Sequence, residues 1–520
     1  MPYDRSRRYL GELITTERAY LLGIDLGTTG VKSLLLDSDG TVVGTATAAL
    51  SLSTPRPGWS EQNPADWWEA TRASVRAVLD RTGVAPASIT GIGISGQMHG
   101  AVLLDDAGEP VRPCILWNDQ RSAAQCDEIT RRAGGRTRLL DLVANPALAG
   151  FTAPKLLWVR EHEPEVWARV ATVLLPKDYL VYRLTGELGT EVSDAAGTLL
   201  LDVRRRVWSD EMTRLLELSP ALLPVCRESS DIVGPVTALA SAATGLAAGT
   251  PVVAGGADNA CAAIGTGVIA PGRLMSSLGT SGTMVAPTAT PEVDPEGRAH
   301  TFCHAVPNTW YVMGVMLAAG GALRWLRDTV YEDTIADERD IYDVMMDGAA
   351  RVAAGAEGLL FLPYLSGERT PHGDPNARGV FCGLTLRHRR DHLVRAVVEG
   401  VTFGLRDSLE IIRALGLPAG RVYATGGGAR SPLWRQIQAD VFAVPVIAEL
   451  AGEGPALGAA LLAGAGVGAF TLEDGAARAI RQGDTAEPQP AQVATYERAY
   501  TLYDTLYPAL KDVFPLLASI

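Results

Sequence analysis

Two pentapeptides that differ at one hydroxyl-bearing position, Leu26-Gly27-Thr28-Thr29-Gly30 and Leu278-Gly279-Thr280-Ser281-Gly282, stand in the two halves of this 520-residue chain. Each joins two short β-rich runs, Tyr20 to Ile24 with Val31 to Leu36 and Arg273 to Leu278 with Thr283 to Pro287. A Gly/Thr-rich break between apolar, β-branched runs is hairpin chemistry. A hairpin that recurs with its flanking strands marks an internal repeat. The repeat predicts an α/β chain of two related halves that face each other. The length agrees, because single cores stop growing at about 250 to 300 residues. The boundary is expected between 266 and 272, giving an extension over 1–18, a first domain over 19–268 and a second over 269–517.

In the first half a third run, Thr41 to Ala46, extends the hairpin to an antiparallel meander. Asn63-Pro64 then supplies an N-cap and a first-turn proline, and Trp68, Thr71, Val75, Val78 and Leu79 recur at helical spacing until Gly83. A strand follows over Ile89 to Ser95. From about 111 to 249 helical stretches and loops alternate without a clear pattern. In the second half, helices are expected over 318–330 and 390–415, a strand over Val422 to Thr425 running into three glycines, and a helix after Ser431-Pro432. The longest uncharged run, Gly454 to Leu472, carries five glycines and many alanines, which suits a tightly packed internal helix and turn better than a membrane span.

Composition narrows the function. A net charge of −13 argues against general nucleic-acid or anionic-membrane binding, which requires a basic footprint. Lysine occurs only at 32, 155, 177 and 511, and no G-x-x-x-x-G-K-[ST] sequence is present, so a P-loop is excluded. The six cysteines are dispersed, with no C-x-x-C and no zinc-like spacing to histidine, and read as reduced, buried small residues. The first 20 residues are too charged for a secretory signal, so the protein is expected in the cytoplasm.

Against this background a few loops carry chemistry. Pro251 to Ala254 reads as a buried strand, and the following Gly255-Gly256-Ala257-Asp258-Asn259 puts a lone carboxylate where strand gives way to helix. Taken alone, Asp258 reads as a helix N-cap; at the end of a rigid strand it is equally placed for catalysis. Asp25 opens the first Gly/Thr turn, whose backbone amides and Thr28 and Thr29 hydroxyls can wrap a polyphosphate while the carboxylate holds magnesium. Gly279, Thr280 and Ser281 repeat the turn without the acid. Gly426-Gly427-Gly428 ahead of Ser431 lets a flat ring or a phosphate approach the backbone, or simply connects strand to helix. Gln97-Met98-His99 and Trp117-Asn118-Asp119-Gln120-Arg121 mix hydrogen-bonding groups with apolar platforms, which suits a polyol; the alternatives are a structural histidine at 99 and a core tryptophan at 117.

The segments GIDLGTTGVKSLLLD, ISGQMHGAVLLD, ILWNDQR, GFTAPKLLWV, LLPKDYLVYRLTGE, SDAAGTLLLDV, VVAGGADNA, SLGTSGTM, FLPYLSGERTPH and GGGARSPLWRQIQAD, spread over about residues 20–467, resemble the FGGY carbohydrate kinases. Met98-His99 stands where the family's glycerol kinases carry Arg-Glu, which favours a ketopentose, D-xylulose, over glycerol. The resemblance implies two actin-like, ribonuclease-H-like domains with the active site in the cleft between them. It implies Asp258 as proton acceptor, Met98, His99, Trp117, Asp119 and Asn259 at the sugar, and Asp25 at the metal. Thr28, Thr29, Lys32, Gly279, Thr280, Ser281, Gly427, Gly428 and Ser431 would meet the nucleotide.

The implied reaction is ATP- and Mg2+-dependent phosphorylation of D-xylulose to D-xylulose 5-phosphate in xylose catabolism. Sugar and ATP are then the partners, with neither nucleic acid nor membrane, and a homodimer is left open. At an ordinary carboxylate pKa of about 3.9, Asp258 would be a weak base that takes its proton late. The rivals are a kinase for another ketopentose or polyol, such as ribulose or an alditol, and a non-catalytic actin-like nucleotide switch. The N-terminal extension and the run beyond about 470 carry none of the motifs.

Overall fold

The computed structural model describes residues 18–331, 340–449 and 453–518. Two seven-stranded sheets organise it. The first runs Ile232–Pro235, Pro251–Val253, Ile89–Gly96, Tyr20–Leu26, Gly30–Asp37 and Val42–Ala49, with Gly256–Ala257 also on Ile89–Gly96. The second runs His300–Cys303, Trp310–Met316, Gly282–Thr288, Gly272–Leu278, Ala419–Thr425, Val446–Glu449 and Gln482–Ala486. In each, the first strand of the repeated hairpin pairs antiparallel with the second, at Leu26↔Val31 and Leu278↔Gly282. The same strand pairs parallel with a later one, Ile89–Gly96 or Ala419–Thr425. The sequence repeat is therefore a repeat of topology.

Local chemistry explains the elements that flank the site. The helix Pro64–Thr82 starts at Asn63, whose side chain accepts from the Ala65 amide at 3.1 Å, and stops at Gly83 in the left-handed region, φ 67°. Its buried face, Trp67, Thr71, Val75 and Val78, covers the meander, and Ser74 Oγ meets Ser33 Oγ of the second strand at 2.8 Å. Removing an apolar side chain of this size from water contributes about 1.5–3 kcal/mol.

The alanine- and glycine-rich run forms the helix Gly454–Gly466 and packs on the first sheet, although it follows the second sheet in the chain. A β-carbon at Gly23 would sit 2.0 Å from the Ala456 carbonyl oxygen, and one at Gly93 2.0 Å from that of Ala459. Against the helix Asp258–Gly265 the fit is as close: a β-carbon at Gly458 would lie 1.9 Å from the Cys261 carbonyl oxygen. The small residues are thus explained by backbone-to-backbone approach. Packing does not follow a linear division of the chain, since the second half lends a helix to the core of the first.

The run beyond 470 is part of the second half. Its strand Gln482–Ala486 closes an edge of the second sheet, and the helix Pro490–Leu510 buries Tyr496, whose hydroxyl bonds Glu399 at 2.8 Å. Of the expected N-terminal extension only Arg18, paired with Asp39 at 2.9 Å, lies within the described residues. Among the described residues no helix is long and apolar enough to cross a membrane.

Candidate active site

Register brings the two acids together. Asp25 lies opposite Ser95 and Leu26 opposite Gly96 on one side of the strand Ile89–Gly96; on its other side Gly256 lies opposite Ser95 and Ala257 opposite Gly96. Asp25 and Asp258 therefore leave the carboxyl ends of strands that flank one common neighbour, where open α/β sheets bind ligands. Gly255, at φ 80°, makes the approach: a β-carbon there would lie 1.9 Å from the Ile94 carbonyl oxygen.

Asp258 is the first residue of the helix Asp258–Gly265, and Ala257 holds the cap position without a side-chain cap bond. The N-cap alternative is thereby removed. One carboxylate oxygen, Oδ1, accepts from the Asn259 amide at 2.7 Å and from Asn259 Nδ2 at 2.9 Å, which fixes the carboxyl plane and leaves Oδ2 for another donor. Burial, reinforced by the charge of Asp25, pushes Asp258 up to about 7. Asp258 is accordingly a stronger base than an ordinary aspartate.

Asp25 Oδ1 is buried without a hydrogen-bond partner among the described residues, and so is the Ser95 hydroxyl. Burial raises Asp25 to about 6 against the opposing charge of Lys32. A buried, unpartnered carboxylate oxygen beside a Gly/Thr turn fits a hard cation. Among the described residues no three His, Cys, Asp or Glu side chains gather around one point. An ion here would take one or two carboxylates and the nucleotide's phosphates, as magnesium does. Lys32, opposite Asp25 in the hairpin, is ion-paired with Glu453.

Met98 and His99 follow the central strand and are almost fully buried. His99, at φ 70°, has Nδ1 2.7 Å from the Gly197 carbonyl oxygen. A carbonyl only accepts, so Nδ1 carries the proton and Nε2 is the free acceptor. Burial, then the charge of Lys155, holds the ring well below the usual histidine value, so it stays neutral. A β-carbon at Gly197 would come within 2.6 Å of His99 Nδ1 and 3.0 Å of Met98 Cε; only glycine admits the pair.

Two lysines that the sequence did not single out hold this arrangement. Lys155, wholly buried, donates from Nζ to the carbonyls of His99 at 2.8 Å and Gly150 at 2.7 Å. Lys177, also wholly buried, lies 2.5 Å from Asp178 and 3.4 Å from Glu191. Glu191 accepts from Ser193 Oγ at 2.9 Å, and Ser193 Oγ accepts from the Ala257 amide at 3.0 Å, immediately before Asp258. The signal was available in the scarcity of lysine.

Other expected residues serve differently. Asp119 is fully buried and spends its carboxylate on the Ser60 amide at 2.6 Å and on Arg121, Nε at 2.9 Å and Nη2 at 2.7 Å. It shapes its own turn instead of facing a sugar. Trp117 Nε1 donates to Thr28 Oγ1 at 3.0 Å, and that hydroxyl donates to Gln97 Oε1 at 3.0 Å. The Thr28 side chain is therefore engaged, and what its turn offers a phosphate is the Thr28 and Thr29 amides, which meet no acceptor among the described residues. Asn259 is turned onto Asp258.

In the second turn Gly279 and Thr280 are exposed. Their carbonyls accept from the Gly320 and Gly321 amides at 2.8 and 3.0 Å, at the start of the helix Gly320–Val330. Gly427 has open space where a β-carbon would stand, whereas Gly426 and Gly428 press on Leu278. Ser431 caps the helix Pro432–Phe442, accepting from the Trp434 amide at 3.3 Å.

Family models match both halves: the N-terminal domain of the FGGY carbohydrate kinases over 20–265 and the C-terminal domain over 274–467. The chain belongs to the FGGY family of carbohydrate kinases. This FGGY kinase is 42% identical over 501 residues to the xylulose kinase of Bacillus subtilis, covering 96% of the chain and 99% of that protein. It is 44% identical over 443 residues to the xylulose kinase of Escherichia coli, covering 85% and 89%. The crystal structure of xylulose kinase from Rhodospirillum rubrum superposes with a TM-score of 0.88 at 33% identity, covering 95% of this chain and 99% of that one. The two-domain, actin-like fold is that of an FGGY sugar kinase.

Proposed function

We propose that the protein transfers the γ-phosphoryl group of ATP to the 5-hydroxyl of D-xylulose, with Asp258 as proton acceptor. The observation that carries this reading is the pair of acids on strands flanking Ile89–Gly96, one of them raised to about 7 and fixed by Asn259 so that one oxygen is free. The sugar's 5-hydroxyl donates to Asp258 Oδ2, which orients the attacking oxygen and receives its proton as the bond to phosphorus forms. Neutral His99 accepts a sugar hydroxyl at Nε2, and Met98 covers an apolar edge.

The two Gly/Thr turns take the nucleotide's phosphates, the first through the Thr28 and Thr29 amides, the second through Gly279, Thr280 and Ser281. Gly427 and Gly428 border the adenosine. Asp25 would hold magnesium, which neutralises charge on the transferring phosphoryl group. Xylulose as substrate is supported by the xylulose kinases at 42% and 44% identity. The test is ADP release with a panel of pentuloses, polyols and hexoses: D-xylulose should give the highest kcat/KM, and a higher value for glycerol or a hexose overturns the assignment.

A further inference from the structure

The second half reaches into the first at one charged side chain. The segment Glu368-Arg369-Thr370 is pinned to the strand Trp310–Met316 of the second sheet. The Glu368 carboxylate accepts from the amides of Leu317 at 3.1 Å and Arg369 at 2.7 Å, Thr370 Oγ1 accepts from the Val315 amide at 3.0 Å, and the Thr370 amide donates to Val315 at 3.0 Å. So held, Arg369 extends to the wall of the first half: a β-carbon at Gly150 would lie 3.5 Å from its Nη2. Gly150 offers its carbonyl to Lys155, which also holds His99. The guanidinium is partly buried and makes no hydrogen bond or ion pair with any described residue. Its donors are free for an electron-rich partner.

We propose that Arg369 is a sugar-binding group contributed by the second half, its guanidinium donating to oxygens of the sugar beside His99. This rests on the reading of the substrate as a ketopentose. The place follows from contact: Arg369 reaches Gly150, whose carbonyl shares Lys155 with that of His99, and Phe151, next in the chain, packs 4.6 Å from the His99 ring. The charge of Arg369 accordingly helps to depress His99. A guanidinium only donates, and ketone and hydroxyl oxygens both accept, so this contact holds the sugar's oxygens without by itself separating a ketose from its alditol.

The experiment compares wild type, Arg369→Met and Arg369→Lys in KM for D-xylulose, in KM for ATP, and in melting temperature without sugar. In Arg369→Met, KM for D-xylulose should rise about 10- to 100-fold while KM for ATP moves less than about fivefold. Arg369→Lys should recover part of the loss. The Arg369 side chain has no hydrogen bond to lose among the described residues, so Arg369→Met should melt close to wild type. An unchanged KM for D-xylulose, or an equal rise in KM for ATP, overturns the inference; if Arg369→Met fails to fold, the same pair of KM values in Arg369→Lys decides. A wild type that leaves D-xylulose unphosphorylated sinks the substrate reading instead. Arg369 is then judged on the sugar that is phosphorylated, where an unchanged KM overturns it.

Discussion

The turns at 26–30 and 278–282 occupy the same place in two sheets of the same topology, yet they differ in what surrounds them. The position of Asp25 in the first is held by Ser277 in the second, each one residue before the shared leucine. The parallel neighbour ends in Gly96 ahead of Met98 and His99 in the first sheet, and in Thr425 ahead of three glycines in the second. One scaffold presents acids and a hydrogen-bonding pair; the other presents bare backbone. The first turn has its hydroxyl locked by Trp117 and Gln97, whereas the second leaves Thr280 exposed and anchors through its carbonyls. Duplication supplies the frame, and the side chains at the strand ends divide the work into chemistry and nucleotide holding.

The largest test of that division removes the acid the second half lacks. Asp258→Asn should lower turnover by roughly 10² to 10⁴, with sugar binding by calorimetry retained. Near-normal turnover would reduce Asp258 to a structural residue. Asp25→Ser gives the first turn the residue that the second carries at this position. The magnesium concentration for half-activation should rise by at least the roughly 10- to 100-fold seen on loss of outer-shell partners, and identical magnesium titrations would refute the metal role.

His99→Ala should remove about 1–3 kcal/mol of the preference for D-xylulose over glycerol, leaving ATP affinity without sugar unchanged; constant kcat/KM ratios would mean that His99 does not read the substrate. The two threonines sharpen the contrast. Thr28→Val strands Trp117 Nε1 and should cost about 1–3 kcal/mol of stability in urea denaturation, whereas Thr280→Val should stay within about 0.5 kcal/mol and shift KM for ATP.

The smallest effect is in pH. Asp258 titrates at about 7 in the folded protein and at about 3.9 unfolded. The native state therefore binds the extra proton between these values, and the associated stability is present below about 4 and lost as pH rises through about 7. Asp258→Asn, neutral throughout, should melt with wild type near pH 4 and a few degrees above it at pH 8. The acid limb of kcat/KM for wild type should lie near pH 7. A melting difference that does not grow with pH would show that Asp258 is not destabilised by burial.

Much of this was legible residue by residue. Asn63, Pro64 and Gly83 mark the ends of a helix found at those positions, because caps and φ preferences act within one turn of chain. Asp119 was misassigned because an aromatic followed by polar residues has the same pattern whether its carboxylate faces a sugar or its own turn. Lys155 and Lys177 went unread because a lysine's worth depends on where its neighbours' carbonyls and carboxylates fold to. Arg369 is separated from Gly150 by most of a domain in sequence, so no local pattern could link them.

By itself the sequence determined the repeat, the turns and the strands whose ends carry Asp25, His99 and Asp258, since hairpin chemistry and hydrophobic period are properties of adjacent residues. Only the tertiary structure decided the basicity of Asp258, the free nitrogen of His99 and the reach of Arg369. Desolvation, charge coupling and the donor across a gap are set by distance in space, and the same side chains on an extended chain would have ordinary pKa values and no common target.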